Sequence, residues 1–317
     1  MNGLKAITTV YSYYLPEIRN VIDDMTREYP HEAFLKSMNG GLDDFHLPVM
    51  DKLVDVHRDD VSGLGKFGYR YSTAGSEEGI REFMSLLALR GVNQAYMWKG
   101  DYEGYRETGK TRGIRLEEVE FGEDPKRLKP GYWFLSNPSA RNGLIIGNTA
   151  VRSICEAGHK VFYDLSYLGS TRPFVYDLGH PNVVAAAVSF SKPYGLFYYR
   201  VGFLYTREEV PSLYANKWFK NIYGLMIAKA ILERVDIASL AEKYKNLQRE
   251  IVGEINREHG LGLHEADTFL LANLPCAKVE QFSEAKLTAL QKFRRHNFYR
   301  FCLTPYFLAR EERGVIK

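Results

Sequence analysis

VVAAAVSFSKPYGLFYYRVGFLYT, residues 183–206, contains two strand-like stretches on either side of a lysine. The first stretch, VVAAAVSF, is apolar at nearly every position instead of alternating, which is typical of a strand covered on both faces of a sheet. Lys192 follows it almost directly, at the edge of the sheet where α/β folds bind their ligands. A charged lysine without a partner is costly there, so we expect this amine to be neutralised, paired or covalently occupied. The alternative is a surface lysine with a buried stem.

Strand-like and helix-like stretches alternate around this segment. Strands are predicted at 69–73, 92–98, 112–121, 132–136, 160–167, 183–190 and 200–206, and helices at 77–90 and 147–157. Such alternation is typical of an α/β fold with a mostly parallel central sheet and helices on both faces. Beyond Pro211 the pattern changes to an amphipathic helix around 240–255 and short strands at 268–274 and 300–304. We therefore predict a large domain over 41–211 and a smaller α+β domain formed by 1–40 and 212–317.

Composition and charge exclude several classes of protein. The 317 residues are 45% hydrophobic and 26% charged, which is the composition of a globular protein. With 42 basic and 39 acidic residues the net charge is only +3, which disfavours electrostatic binding to nucleic acid or to a membrane. No apolar run reaches the ~18–20 residues that span a bilayer. The three cysteines are widely spaced and odd in number, so we expect a cytoplasmic protein with reduced thiols and no metal site.

Two glycine motifs match nucleotide-binding patterns in letters but not in context. Residues 104–111 satisfy GxxxxGK[ST], yet the loop would carry Glu107, which repels phosphate, and a strand follows where a helix is needed. Residues 63–68 satisfy GxGxxG, but a polar segment precedes them and a strand follows. We predict that neither binds a nucleotide. A P-loop NTPase stays a third alternative, which nucleotide binding abolished by Lys110→Ala would support.

The lysine segment also has the groups that hold pyridoxal phosphate, since two serines precede the lysine and an arginine follows eight residues later. It closely resembles the Schiff-base lysine segment of fold-type I pyridoxal-phosphate enzymes, especially the class I/II aminotransferases of the aspartate aminotransferase superfamily. The resemblance implies pyridoxal 5'-phosphate as cofactor and Lys192 as the residue of the internal aldimine. It also implies that Arg200 and Ser189 bind the cofactor phosphate, with Ser191 as a weaker candidate.

Further segments resemble the same family in the same order. Asp164-Leu-Ser-Tyr167 resembles the motif whose carboxylate keeps the pyridine nitrogen protonated, so that the ring accepts electrons, and whose tyrosine binds the ring oxygen. Taken alone, an aspartate that ends a strand is usually a turn former. Asn137, which closes the strand 132–136, resembles the asparagine that contacts the same ring oxygen and lies beside the substrate. Asn142 is the alternative for that contact.

Three more elements extend the resemblance. Gly75-Ser76-Glu77 resembles the phosphate cup at a helix N-terminus, although an ordinary helix start capped by Ser76 explains the same residues. Tyr102 resembles the aromatic residue that stacks on the pyridine ring. Arg300 resembles the arginine that binds the substrate α-carboxylate, because its planar fork suits bidentate binding.

The resemblance implies an aminotransferase that interconverts an amino acid and a keto acid, works as a homodimer and uses Lys192, Asp164 and Tyr167 in catalysis. Two alternatives remain open. The same cofactor supports decarboxylase, lyase or oxidase chemistry, according to which bond at Cα lies perpendicular to the ring. A non-catalytic regulatory protein of the same fold is the other, because the N-terminal half is short for the family.

Overall fold

A seven-stranded sheet forms the centre of the computed structural model, which describes residues 3–11, 13–28 and 44–316. Its strands are β2 Tyr69–Thr73, β3 Gln94–Trp98, β4 Arg115–Val119, β5 Tyr132–Ser136, β6 Lys160–Leu165, β8 Val183–Ser189 and β9 Gly202–Thr206, and two short strands, β1 Val61–Ser62 and β7 Tyr176–Asp177, pair separately. The order is β2-β9-β8-β6-β5-β3-β4, and β9 runs antiparallel to both of its neighbours while the other pairs are parallel. The predicted mostly parallel α/β sheet is confirmed.

Helices cover both faces of this sheet. They are α1 Pro16–Glu28, α2 His46–Val56, α3 Ser76–Leu89, α4 Glu103–Thr111, α5 Asn148–Glu156, α6 Ile222–Arg234, α7 Ile237–His259, α8 Glu284–Leu290 and α9 Thr304–Glu312. Along β5, Trp133 and Leu135 face the core that contains α2 and α5, whereas Phe134 faces the core that contains α3. All seven residues of β8 are buried, which explains its unbroken apolar sequence.

A second sheet of four antiparallel strands follows in the C-terminal part. It consists of β10 His264–Glu265, β11 Leu271–Pro275, β12 Arg294–Arg295 and β13 Phe298–Cys302, in the order β10-β11-β13-β12. Near the N-terminus, Ile7 forms a bridge with Cys302 at one end of β13. The predicted domain boundary between 40 and 41 lies outside the described residues, so the division into two domains stays a prediction.

Several predicted elements have different limits in the structure. The strand predicted at 200–206 begins at Gly202 because Arg200 has a positive φ of 52°. The strand predicted at 268–274 begins at Leu271, because Thr268 forms an isolated bridge with Thr171. The strand predicted at 300–304 covers Phe298–Cys302, since Thr304 already begins α9.

The two glycine motifs do not have the geometry of nucleotide-binding loops, although the short strand β1, Val61–Ser62, precedes the second one where no strand was predicted. Residues 104–111 lie inside α4, so they form no phosphate-binding loop. Residues 63–68 contain a short 3₁₀ helix, Leu64–Lys66, that leads into β2. Across the described part of the chain, no helix combines the length and the apolar character that crossing a bilayer requires.

Candidate active site

The topology brings distant segments to one edge of the large sheet. The parallel strands end at this edge, and β9 begins there because it runs in the opposite direction. Gly202, the first residue of β9, pairs with Thr73 on one side and with Ser189 on the other. Gly75 lies in the segment after Thr73, and Arg200 lies in the segment before Gly202. These two segments therefore meet at the sheet edge, beside the segment that follows Ser189.

Gly75 and Arg200 form a cradle at the N-terminus of α3. Gly75 is the N-cap residue of this helix with φ +83°, and the Arg200 guanidinium donates hydrogen bonds to the carbonyl oxygens of Ala74 and Phe197. A Cβ atom on Gly75 would lie 2.8 Å from Arg200 Nη2, so glycine permits this close approach. A helix N-terminus beside a guanidinium attracts an anion.

Asp164 is a buried carboxylate at the end of β6, with 3% of its surface exposed. Its Oδ1 accepts hydrogen bonds from the backbone N–H of Ser166 at 3.0 Å and from the Ser166 hydroxyl, and its Oδ2 accepts one from Tyr105 Oη at 2.9 Å. The Ser166 hydroxyl also lies 2.8 Å from Ser76 Oγ. These donors fix the orientation of the carboxylate and connect it to the start of α3.

Tyr105 and Ser166 did not appear among the residues predicted for the site. A serine two residues after an aspartate that ends a strand is the pattern of an Asx turn, so Ser166 had a signal in the sequence. Tyr105 lies 59 residues from Asp164 in the chain, and nothing in its local pattern indicates this contact.

Lys192 lies between two aromatic rings. Its Nζ is 4.7 Å from the centre of the Tyr167 ring and 5.8 Å from the centre of the Tyr102 ring. Among the described residues, this amine has no hydrogen-bond partner, and its side chain remains partly exposed. Tyr102 Oη donates to Glu77 at 2.9 Å, and burial together with this carboxylate raises the pKa of Tyr102. The phenol is therefore neutral and its ring is held in place beside the amine.

The two serines before Lys192 are buried. Ser189 Oγ accepts a hydrogen bond from the backbone N–H of Ser191 at 3.1 Å. Ser191 Oγ has no partner within the part of the chain that the structure describes. An unpaired buried hydroxyl is unfavourable, so this atom is suited to contact a polar ligand.

Arg300 approaches the same edge from the second sheet. It lies on β13, where it pairs with Asn273, and its guanidinium donates to the carbonyl oxygens of Ala140 and Thr8. Its Nε has no partner in the described ranges, and burial lowers the pKa of this arginine. This buried guanidinium can bind a carboxylate through its unused N–H group.

Asn137 and Asn142 are held by the loop that follows β5. The side-chain amide of Asn137 donates to Ile146 O at 2.8 Å and to Tyr163 Oη at 2.6 Å, and its oxygen accepts from Ile146 N at 2.8 Å. The two acceptors of the Asn137 amide are therefore Ile146 in this loop and Tyr163 on β6. Asn142 Oδ1 accepts from Leu144 N at 3.1 Å. Among the described residues, neither side chain forms a hydrogen bond with Lys192, and the roles of Asn137 and Asn142 as ring contacts stay predictions.

The Asp101 carboxylate binds the backbone at the end of β5 and in the loop that follows it, and Asp101 was not among the residues predicted for the site. Its carboxylate accepts hydrogen bonds from the backbone N–H groups of Tyr102, Ser136 and Ala140 and from the Ser136 hydroxyl. Burial raises the pKa of Asp101 to about 6. Asp101 therefore connects the end of β3 to Ala140, whose carbonyl oxygen accepts a hydrogen bond from Arg300.

Comparison of the sequence with protein-family models and with curated proteins gives no match. The structure, however, is similar to solved structures over almost its full length. Histidinol-phosphate aminotransferase of Sinorhizobium meliloti in complex with pyridoxal 5'-phosphate has a TM-score of 0.68 and 16% identity, covering 98% of this chain and 90% of that one. YbdL of Escherichia coli, with a methionine aminotransferase function, has a TM-score of 0.69 and 13% identity over 94% and 88%.

A third similar structure is L-threonine-O-3-phosphate decarboxylase of Porphyromonas gingivalis, with a TM-score of 0.65 and 16% identity, covering 98% of this chain and 99% of that one. At this level of identity the similarity shows the fold. The chain has the fold of the fold-type I pyridoxal-phosphate aminotransferases, as the lysine segment predicted.

Proposed function

We propose that this chain is a pyridoxal-phosphate-dependent enzyme that acts on an amino acid, and that its reaction is transamination. The observation that carries the proposal is the convergence of Lys192, the buried Asp164 and the cradle of Gly75 and Arg200 at one edge of the sheet. The shared fold supports it, since one of the similar solved structures holds this cofactor. No catalytic metal is part of the proposal.

The residues present fit the cofactor. The cradle at Gly75, which a Cβ would fill, and the unpaired buried hydroxyl of Ser191 suit a phosphate group. Arg200, Ser76, Ser189 and Ser191 would hold the phosphate. When bound, the cofactor supplies an aldehyde that joins amines and a ring that accepts electrons from the substrate Cα.

The remaining contacts would orient the ring. Asp164 would face the ring nitrogen, with Tyr105 and Ser166 holding its carboxylate. Tyr102 would cover one face of the ring, and Tyr167 would bind its oxygen. Glu77, which accepts the Tyr102 hydroxyl, would orient that ring, and a contact of Glu77 with the phosphate stays a prediction.

The chain's own residues divide the work on the substrate. Arg300 binds the α-carboxylate, because its Nε is unused and its two other bonds to backbone carbonyls hold the guanidinium in place. Lys192 takes the proton from Cα and returns a proton to complete the transfer. The rings of Tyr102 and Tyr167 flank the Lys192 amine and would limit its directions of movement.

We also propose that two copies form a dimer and that the protein is cytoplasmic. Phe197 and Tyr198 lie in the loop between Lys192 and Arg200, and Tyr198 is 85% exposed. The ring of Tyr11 packs edge-on against the ring of Phe197, with 6.4 Å between the two ring centres, and this enlarges the aromatic surface beside the site. A second copy would cover it. The three free cysteines suit a reducing compartment.

The decisive experiment is a visible spectrum of the purified protein before and after borohydride, followed by peptide mapping. A cofactor-dependent band that borohydride removes, with the reduced pyridoxyl group on Lys192, is the expected result. Lys192→Ala should lose both the label and the turnover. Lys110→Ala is the matched control, since this exposed lysine pairs with Glu107 on α4 and should keep both. A label on another lysine, or parental turnover in Lys192→Ala, contradicts the proposal.

A second measurement separates transamination from the other reactions. One similar structure is a decarboxylase, so the reaction class needs its own test. After an amino acid is added without a keto acid, an aminotransferase leaves its cofactor in the amine form. A decarboxylase or lyase returns the cofactor to the aldehyde form, and a non-catalytic protein shows no spectral change with amino acids.

A further inference from the structure

Arg141 carries a buried guanidinium that has no hydrogen-bond partner in the part of the chain that the structure describes. Only 5% of its surface is exposed, and its Nε and Nη1 are buried without a partner in the described residues. The rings of Phe121 and Phe298 lie 5.1 Å and 5.4 Å from its guanidinium carbon. These rings stabilise a cation through their faces, but they leave the N–H groups unused. A buried charge with unused donors needs an acceptor.

The two carboxylates that act electrostatically on Arg141 already have other partners. Asp101 accepts from the backbone and side chain of Ser136 and from the backbone of Ala140. Glu120 binds Lys99 at 2.7 Å and His296 at 2.8 Å. Both carboxylates favour the charged form of Arg141 from a distance, although burial lowers its pKa, and neither forms an ion pair with it in the structure described.

Arg141 lines a cavity of about 330 Å³. Ser139, Asn142 and Asn297 supply its other polar groups, while Phe121, Phe298 and the aliphatic residues 144–146 form an apolar wall. The amide nitrogen of Asn142 has no partner among the described residues, because its oxygen alone is used, by Leu144 N. The free polar groups of Arg141 and Asn142 are thus donors, and the volume suits a small organic molecule.

We propose that this cavity binds a small organic carboxylate with an apolar body. The edge of a guanidinium formed by Nε and one Nη matches the two oxygens of a carboxylate, and the apolar wall contacts the rest of the molecule. The inference does not depend on the proposed cofactor or reaction, since it rests on Arg141 and its surroundings alone.

The loop that carries Arg141 connects the cavity to the candidate active site. Arg141 directly follows Ala140. The carbonyl oxygen of Ala140 accepts a hydrogen bond from the Arg300 guanidinium, and its N–H group donates one to the Asp101 carboxylate. A carboxylate on Arg141 would stabilise the loop that positions Arg300. Binding in the cavity should therefore change the affinity of Arg300 for its own carboxylate, and the reverse.

Calorimetric titration of the purified full-length protein tests the proposal, with benzoate as the probe. Because Arg300 also binds carboxylates, the titration uses the Arg300→Gln background. Benzoate should bind there at one site per chain with a Kd of about 1 mM or lower. Benzamide, which has the same shape without the charge, should bind at least tenfold more weakly. Inorganic phosphate tests whether a simple anion suffices, and we expect it to bind more weakly because it leaves the apolar wall uncovered.

Two variants identify the site. Arg141→Gln removes the guanidinium and should weaken benzoate binding at least tenfold. Asn142→Asp keeps the oxygen that accepts Leu144 N but adds a negative charge, so it should also abolish binding while preserving the loop. Equal binding of benzamide, unchanged binding in both variants, or no benzoate binding in the Arg300→Gln background each overturns the inference. The proposed function would survive any of these results, since its test is the label on Lys192.

Discussion

Replacing Gly75 with alanine tests whether the cradle at the start of α3 holds the phosphate of the proposed cofactor. Gly75 has φ +83° and ψ 173°, a region that is open to glycine and costs other residues about 1–3 kcal/mol. The added Cβ would also lie 2.8 Å from Arg200 Nη2, which is too close for a non-bonded contact. The Arg200 side chain is flexible, so it should swing away and give up its bond to the Ala74 carbonyl.

The two costs appear in different measurements. The backbone strain lowers the free energy of unfolding of the protein, by about 1–3 kcal/mol. The displaced guanidinium instead removes one charge-assisted bond to the phosphate, about 1.5–3 kcal/mol, which weakens cofactor binding roughly 10- to 100-fold. Gly91→Ala is the matched control, because Gly91 has φ +74° and a Cβ there meets no atom within 4 Å. It should lose stability without losing cofactor affinity.

The assay is a titration of cofactor-free protein with pyridoxal phosphate, followed by visible absorbance, beside unfolding in urea. Arg200→Gln and the double variant with Gly75→Ala complete a cycle. If alanine acts by displacing Arg200, the double variant binds no more weakly than Arg200→Gln alone. Equal cofactor affinity in Gly75→Ala and Gly91→Ala, or fully additive losses in the cycle, would refute the reasoning.

Three further predictions address the substrate, the ring and the pH dependence. Arg300→Lys should raise KM for the amino acid at least tenfold with a smaller change in kcat, because lysine lacks both the Nε–H group that has no partner among the described residues and the two bonds to backbone carbonyls that hold the guanidinium in place. An unchanged KM in steady-state kinetics argues against Arg300 as the carboxylate ligand. Tyr105→Phe removes the donor to Asp164 Oδ2 and should weaken cofactor binding about tenfold in the same titration, while equal affinity shows that this bond does not matter to the ring. Burial, and then the charge of Lys220, lower the pKa of His46 to about 4, so the folded protein keeps this imidazole neutral. Since the unfolded imidazole titrates near pH ~6.5, the contribution of His46 to the free energy of unfolding is fully present above that pH and falls by about 3 kcal/mol as the pH drops towards 4. The raised pKa of Asp101 acts in the opposite direction over the same range, so the measurement is a difference: in urea unfolding at several pH values, the parent protein should lose about 3 kcal/mol more than His46→Gln between pH ~6.5 and 4.

Much of the fold was predictable because it depends on local patterns. The unbroken apolar run of β8 predicted a strand buried on both faces, and all seven of its residues are buried. The alternation of strands and helices predicted the parallel sheet, and the position of Lys192 just past the end of β8 predicted its place at the sheet edge. The context of residues 104–111 predicted that they form no phosphate loop, and they lie in α4.

The contacts that define the site depend on tertiary structure. Tyr105 reaches Asp164 across 59 positions of sequence, and the amide of Asn137 binds Tyr163 and Ile146, contacts that no local pattern indicates. Arg141 gives no sign in its local pattern that its charge is buried between two aromatic rings. The physical reason is that hydrophobic periodicity is a property of neighbouring residues, whereas a hydrogen bond or a buried charge depends on which distant groups packing brings within a few ångströms.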